Sequence, residues 1–188
     1  MRLKKYIYAF LAGMLGILSF APFSYKYLIF LSYAYLIYLL VKSKSFKFKE
    51  VFAWGIGHWG FGMSWIIVSV YYYGDTHIIA ASLIYIILTI ILSLVFTCPL
   101  LITTFINNRT KFNNTFLKII ALSSFLMFSE ISREYLLNGV PWLIPGNIYL
   151  DTISQNIYPY FGASFASLMI YFFSVSYTHL RAHETSED

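Results

Sequence analysis

The sequence predicts an all-α fold, a polytopic transmembrane bundle of about six helical spans with the last one truncated. The 188-residue chain is 59% hydrophobic and only 11% charged, and its mean hydropathy is +0.69. Soluble domains carry about 25% charged residues, so this chain has too few polar side chains to cover a water-soluble surface. A single cysteine excludes a disulfide-rich secreted domain, and the apolar content excludes a disordered chain. We therefore expect an integral membrane protein.

Apolar runs within residues 1–175 are the candidate membrane spans of one helical domain. An α-helix rises about 1.5 Å per residue, so about 20 residues cross the hydrocarbon core of ~30 Å. The runs cover residues 6–21, 25–41, 51–70, 77–106, 116–137 and 161–175. Pro22 ends the first run, and Pro99 lies within the fourth. The last run would rise only about 22 Å, which is too short to cross the membrane.

Cationic residues on the predicted connections indicate the orientation of the chain. Connections on one predicted side carry the following ten: Arg2, Lys4, Lys5, Lys42, Lys44, Lys47, Lys49, Arg109, Lys111 and Lys118. The other side carries Lys26 alone. Because short cytoplasmic loops are rich in Lys and Arg, the N-terminus is predicted to be cytoplasmic and the loops near Pro22, Tyr73 and Pro141 to face outward. The net charge of +5 therefore reflects topology and contact with anionic lipid, and we expect no nucleic-acid partner.

A glycine-rich stretch in the third run has two interpretations. Residues 55–60, Gly-Ile-Gly-His-Trp-Gly, match the dinucleotide-binding fingerprint, but that motif needs a preceding strand and none is predicted here. In a membrane helix, small residues three or four positions apart allow the backbones of two helices to approach closely. Small residues with this spacing in the third and first runs are Ala53, Gly57, Gly60 and Ser64, and Ala9, Gly13 and Gly16. We therefore predict close helix packing.

The histidines of the apolar runs and the single cysteine do not predict a metal site or a nucleophile. His58 and His77 have no second ligand at helical spacing, so no metal is expected. Cys98 lies deep in an apolar run, where desolvation disfavours the thiolate that a nucleophile needs. Cys98 is therefore predicted to pack in the core.

Three charged residues near the end of the fifth run form a candidate polar cluster. Glu130, Arg133 and Glu134 are three and four positions apart, so they can share one helix face. A charge at the bilayer centre costs about 2.5–3.5 kcal/mol, so such groups pair or face a polar cavity. One interpretation is a structural ion pair, with Arg133 extending towards the headgroups. The other is a polar floor beneath an outward-facing substrate site.

The predicted outer loop after this run is apolar and cannot continue as a simple helix. Residues 138–147 read Asn-Gly-Val-Pro-Trp-Leu-Ile-Pro-Gly-Asn, with two prolines and two glycines. An apolar loop at headgroup depth suits a surface that holds lipid chains. Pro141, Trp142 and Leu143 are therefore the candidates for contact with lipid or substrate.

Four segments in order along residues 10–175 resemble one known family, the bacterial apolipoprotein N-acyltransferases. Residues 18–23 resemble the family's first hairpin turn, and residues 55–69 are similar to its third span. Residues 130–133 resemble the Glu–Arg step of its fifth span. Residues 139–143, with Gly146 and residues 159–162, resemble its outer loop and the entry to the next helix. Val140 departs from the pattern, because an aromatic residue usually stands there.

The resemblance implies an enzyme of the bacterial cytoplasmic (inner) membrane that faces the periplasm. The family transfers an acyl chain from a membrane phospholipid to the N-terminal amine of a diacylglyceryl-cysteine lipoprotein. It acts through a thioester on a cysteine of a nitrilase-like domain that carries a Glu, Lys and Cys triad, and it needs no cofactor or metal. This chain is expected to end before that domain. We therefore expect no catalytic residue in it, an inactive polypeptide on its own, and at most a surface for lipid access.

Residues 176–188 differ from the rest of the chain, because they are polar and have no apolar period. They are predicted to break the last helix and are interpreted as a non-native tail of translated adapter sequence; a genuine cytoplasmic tail is the alternative.

Two other functions fit a membrane bundle of this kind. One is a small transporter or channel component, with Glu130 and Arg133 lining its pathway, and the other is a structural membrane subunit.

Overall fold

The computed structural model describes residues 2–41, 46–109, 115–136 and 140–184. Within these ranges the chain forms seven α-helices and two short 3-10 helices, with no strand. The α-helices are α1 (Arg2–Ile17), α2 (Leu28–Val41), α3 (Phe48–Gly62), α4 (Trp65–Tyr73), α5 (Ile78–Arg109), α6 (Thr115–Leu136) and α7 (Tyr158–Glu184). The 3-10 helices, Pro145–Tyr149 and Ile153–Ile157, lie between α6 and α7. The predicted all-α fold is confirmed.

Two helical stretches, Ile78–Thr103 and Ile153–Thr178, are long and apolar enough to cross a membrane. The pair α3 and α4 passes the same criterion if it is taken as one span, although its two helices are bent by 47°. Helix α2 is apolar but shorter. By length and composition, the described residues therefore support two or three spans. The count of six, and the domain boundaries drawn from it, stay predictions.

The predicted run over residues 51–70 is divided between α3 and α4. Glycines at 60 and 62 weaken the end of α3, since glycine is a poor helix former. The Ser64 hydroxyl then donates to the Phe61 carbonyl oxygen at 3.0 Å, a local bond that competes with helix continuation. The change of direction at residues 63–64 allows Trp65 to reach the segment that follows α6.

Helix α7 continues beyond residue 175, the predicted end of the last run. It continues to Glu184, with a kink at Gly162, whose φ of 73° lies in the left-handed region that favours glycine. After Gly162 neither proline nor glycine interrupts the helix, so the polar tail does not break it. The stretch Ile153–Thr178 has 26 residues and is long enough to span. The origin of residues 176–188 stays a prediction, and residues 185–188 lie outside the described part of the chain.

Helices α1 and α3 pack with their backbones in close approach. A Cβ atom on Gly57 would lie 2.0 Å from the Phe10 carbonyl oxygen, and one on Gly13 would lie 2.0 Å from the Trp54 carbonyl oxygen. No side chain larger than hydrogen fits at either position without moving a helix. The predicted close helix packing is therefore confirmed at Gly13 and Gly57, whereas a Cβ atom on Gly60 would make only ordinary contacts, with Tyr85 and Thr89. The glycine-rich stretch lies within α3, and no strand precedes it among the described residues.

Buried aromatic side chains fill the centre of the bundle and join its helices. The Tyr33 ring of α2 lies 5.2 Å from the Trp54 ring of α3 and 5.0 Å from the Tyr171 ring of α7, measured between centroids. Trp54 also stacks on Phe96 of α5 at 5.5 Å. Such contacts add about 0.5–1.5 kcal/mol each beyond area burial. They hold α2, α3, α5 and α7 around one core.

Cys98 faces outward from α5, which corrects its predicted place in the core. It shares the outward face with Leu94, Leu101 and Ile102, which are three or four positions away and are also exposed. Helix α5 packs against α3 and α6 on its other side. An outward face made of apolar residues is the face that a membrane helix turns to lipid, so high hydrophobicity alone does not place a residue in the core.

Two contacts mark the two ends of the bundle. At one end, Lys5 Nζ lies 2.6 Å from Glu50 Oε1 and joins the beginnings of α1 and α3. At the other end, Lys26 Nζ donates to the Leu150 carbonyl oxygen at 3.1 Å. Lys42, Lys44 and Lys111 of the predicted cationic connections lie outside the described residues.

Candidate functional site

Residues 140–152 lie before α7, at the end of the bundle where α1 and α3 finish. We call residues 140–152 the connecting segment. Leu143 packs into the space above Gly62, where a Cβ atom would lie 2.4 Å from Leu143 Cδ1 and 2.9 Å from Ile17 Cδ1. Of the three predicted lipid-contact residues, Pro141 and Trp142 are exposed and Leu143 is half-buried. Asn138 and Gly139 lie outside the described residues.

Trp142 forms an edge-to-face pair with Trp65, the first residue of α4. The two ring centroids are 5.4 Å apart, and the ring planes meet at 84°. Trp142 is 47% exposed and Trp65 is 46% exposed, so each indole keeps about half of its surface free. We call these two residues the tryptophan pair. It is an apolar surface with hydrogen-bonding indole N–H groups, a combination typical of membrane interfaces.

The Arg133 side chain is buried and turns towards the connecting segment. It is only 1% exposed. Its Nη1 atom donates to the Val140 carbonyl oxygen at 3.0 Å and also to the Trp142 carbonyl oxygen. The guanidinium carbon lies 4.5 Å from the Trp59 ring centroid, a cation–π contact. Arg133 therefore links α6, α3 and the backbone of the connecting segment.

Glu130, one turn earlier on α6, has a partner on a different helix. Its side chain is 2% exposed, and its Oε2 atom accepts a hydrogen bond from the Tyr171 hydroxyl of α7. A buried carboxylate needs such donors, because desolvation is costly. The structure thus brings Glu130 and Arg133 into the same buried region, with Glu130 holding α7 and Arg133 holding the connecting segment. The side chain of Glu134 lies outside the described residues.

Gly146 anchors the middle of the connecting segment against α7. Its N–H donates to Ser167 Oγ at 2.9 Å, and its carbonyl oxygen accepts from the Tyr158 hydroxyl. A Cβ atom at this position would lie 2.0 Å from the Ala163 carbonyl oxygen. Glycine is needed here because the two backbones are in contact.

Sequence reasoning missed the side chains of α7 that hold this arrangement. Ala163, Ser167 and Tyr171 are four positions apart and therefore lie on one face of the helix. A small and polar face on an apolar helix indicates a face turned towards protein rather than lipid. That spacing is the signal that could have found Ser167 and Tyr171.

Comparison with known proteins places this arrangement in a family. Residues 12–176 match the family model described as the apolipoprotein N-acyltransferase N-terminal domain. The chain is 27% identical over 167 residues to the apolipoprotein N-acyltransferase of Pasteurella multocida, an alignment that covers 87% of this chain and 30% of that protein. It is 30% identical over 166 residues to the protein of the same name from Haemophilus ducreyi, covering 87% of this chain and 31% of that protein. The chain thus spans less than a third of the length of these two curated relatives.

Proposed function

The chain belongs to the apolipoprotein N-acyltransferase N-terminal domain family, and we propose that it is the membrane part of an enzyme that N-acylates bacterial lipoproteins. The proposed acyl donor is a membrane phospholipid, and the proposed acceptor is the N-terminal amine of a diacylglyceryl-cysteine lipoprotein. The proposed location is the bacterial cytoplasmic membrane, with the N-terminus in the cytoplasm. The site residues proposed for contact with lipid are Pro141, Trp142 and Leu143.

The observation that carries this proposal is the half-exposed tryptophan pair at the end of the bundle. Trp142 presents an apolar ring beside Trp65, while backbone contacts from Arg133 and Gly146 hold the segment that carries it. An acyl chain that leaves the hydrocarbon core and lies on this surface at headgroup depth is kept from water, and each methylene kept from water contributes about 0.8 kcal/mol. Because these contacts already fix the backbone, binding of an acyl chain does not have to order the loop, which would cost free energy.

The described residues supply a binding surface rather than the bond-making groups of the proposed reaction. A thioester route needs a thiolate, which is the reactive form of cysteine. Cys98 faces outward among apolar side chains of α5 and is not proposed as that nucleophile. Acyl transfer by this route would proceed in two steps, with the acyl chain held at the membrane surface during both.

The proposed function is tested with a chimera that joins residues 1–176 to the remaining length of the Haemophilus ducreyi relative. We expect the chimera to restore N-acylated lipoproteins, detected by mass spectrometry, in bacteria depleted of their own enzyme. Trp142→Ala should lower the rate of acylation about tenfold, because truncation of a half-exposed indole removes about 1–2 kcal/mol of apolar contact.

Tyr73→Ala is the matched control, because this aromatic residue is 90% exposed on α4 and lies outside the tryptophan pair. It should leave the rate unchanged. A chimera that inserts at normal levels and yields no N-acylated lipoprotein contradicts the proposed function. If Trp142→Ala acylates as fast as the parent chimera, the proposed lipid contact is wrong.

The proposed orientation predicts opposite labelling of the two ends of the α3–α4 pair. In a Cys98→Ser background, a cysteine replacing Tyr73 should react with a membrane-impermeant maleimide added outside spheroplasts. A cysteine replacing Lys49, which is exposed near the start of α3, should react only after permeabilisation. Labelling of both positions from the same side would contradict the orientation and would show that the bent pair does not cross the membrane.

A further inference from the structure

We propose that Arg133 is a positioning residue for the lipid-contact surface, because it fixes the backbone that carries Trp142 against Trp65. This inference rests on the proposed function of that surface. Arg133 does not touch the acyl chain in this arrangement. It acts through the connecting segment, from inside the bundle.

The contacts of Arg133 are directed at the backbone on both sides of Pro141. One nitrogen, Nη1, donates to the carbonyl oxygens of Val140 and Trp142, so its two hydrogens bind two acceptors that are two residues apart. Both bonds are charge-assisted and form in a site where water has little access, which strengthens them. Together they fix the position and the direction of the backbone at Trp142.

The guanidinium plane is itself fixed by the Trp59 ring. Its central carbon lies 4.5 Å from the ring centroid, and Trp59 is 2% exposed. A planar guanidinium can pack on an aromatic ring and donate from its edge at the same time. A lysine ammonium keeps the charge but has no plane and a different reach, so it cannot reproduce both contacts at once. The arrangement is therefore specific for arginine.

The residue after Trp142 has a backbone conformation that needs support. Leu143 has a φ of 60°, in the left-handed region that is unfavourable for a leucine. Arg133 holds the carbonyl that immediately precedes this residue, and the Leu143 side chain is held above Gly62. Without the Arg133 contacts the segment is expected to relax at Leu143, and Trp142 would then leave Trp65.

The test measures amide hydrogen exchange of the full chain in phospholipid nanodiscs. Arg133→Lys should increase exchange about tenfold in peptides covering residues 140–150, a change of about 1.4 kcal/mol in local opening, while the helices keep their protection. Lys26→Ala is the matched control, since Lys26 also donates to a carbonyl of this segment, at Leu150, but from an exposed position. It should leave exchange at residues 140–144 unchanged.

A spectroscopic readout reports on Trp142 itself. The Trp142 contribution to fluorescence is obtained as the difference between chains with and without Trp142→Phe, in vesicles of brominated phosphatidylcholine. Arg133→Lys should shift this contribution to longer wavelength and reduce its quenching by the brominated chains, because the indole is no longer held at the lipid. A role for Arg133 in global stability alone would not change this contribution in folded protein.

The exchange and fluorescence results for Arg133→Lys either support or contradict its positioning role. Unchanged exchange and fluorescence in folded Arg133→Lys overturn the positioning role, and so does a rise in exchange spread evenly over all helices. If Arg133→Lys does not fold, Trp59→Phe is measured instead. A phenyl ring offers the guanidinium a smaller aromatic face than an indole, so the same increase in exchange is expected over residues 140–150. If the chimera does not acylate lipoproteins, the proposed function is contradicted. The exchange result would still show whether Arg133 positions the connecting segment.

Discussion

Gly57→Ala is expected to lower the free energy of unfolding by about 3 kcal/mol, the upper part of the range for overpacked cores. The added Cβ atom would lie 2.0 Å from the Phe10 carbonyl oxygen, which belongs to the backbone of α1 and cannot rotate away. The two helices must therefore separate, and the buried contacts between them loosen. The loss is measured by denaturant unfolding of the chain in detergent micelles.

Gly60→Ala, on the same helix, is the control for this experiment. Its Cβ atom would meet only the Tyr85 hydroxyl oxygen at 3.4 Å and Thr89 Cγ2 at 3.5 Å, which are ordinary contacts. Because alanine is a better helix former than glycine by about 1 kcal/mol, this variant should be as stable as the parent chain or more stable. Equal losses in the two variants would show that close packing of α1 and α3 is not the cause.

Gly146→Ala is expected to displace the connecting segment from α7 and to lower acyl transfer by the chimera at least tenfold. Its Cβ atom would lie 2.0 Å from the Ala163 carbonyl oxygen and 2.9 Å from the Ser167 backbone nitrogen. The segment must move outward, because α7 is packed against α2 and α6 behind it. A tenfold loss corresponds to about 1.4 kcal/mol of transition-state stabilisation. The rate and the thermal stability are measured on the same sample.

Tyr158→Phe separates the volume effect at Gly146 from the loss of a hydrogen bond. It removes the hydroxyl that donates to the Gly146 carbonyl oxygen and adds no atom to the contact. Loss of one such bond costs about 1 kcal/mol, so the rate of the chimera should fall by no more than about fivefold, less than in Gly146→Ala. A Tyr158→Phe rate as low as that of Gly146→Ala would refute the steric explanation.

The all-α fold and the close packing of α1 and α3 could be predicted because both depend on local sequence properties. A high apolar content indicates helices that satisfy their own backbone groups, and small residues at helical spacing indicate a close contact whatever the partner. The break at residues 63–64 is harder to predict, since it depends on how Ser64 and two glycines act together within an apolar run. The outward position of Cys98 depends on which side of α5 its neighbours occupy.

The role of Arg133 could be predicted only in part. Its spacing from Glu130 predicts that the two side chains share one face of α6, and both side chains are buried. Its acceptors, however, are backbone carbonyl oxygens at Val140 and Trp142, and every residue has such an oxygen. No pattern of side chains distinguishes these two from others in the segment. Contacts of this kind become visible only when the chain is folded.

The use of a main-chain acceptor at Val140 has a consequence for how this position can vary. The family resemblance implies an aromatic residue at position 140, where this chain has valine, yet the Val140 carbonyl oxygen accepts from Arg133. The hydrogen bond from Arg133 therefore does not depend on which side chain stands at position 140. A larger or a smaller side chain can therefore occupy position 140 and change the shape of the neighbouring space. The hydrogen bond that holds the connecting segment is kept in either case.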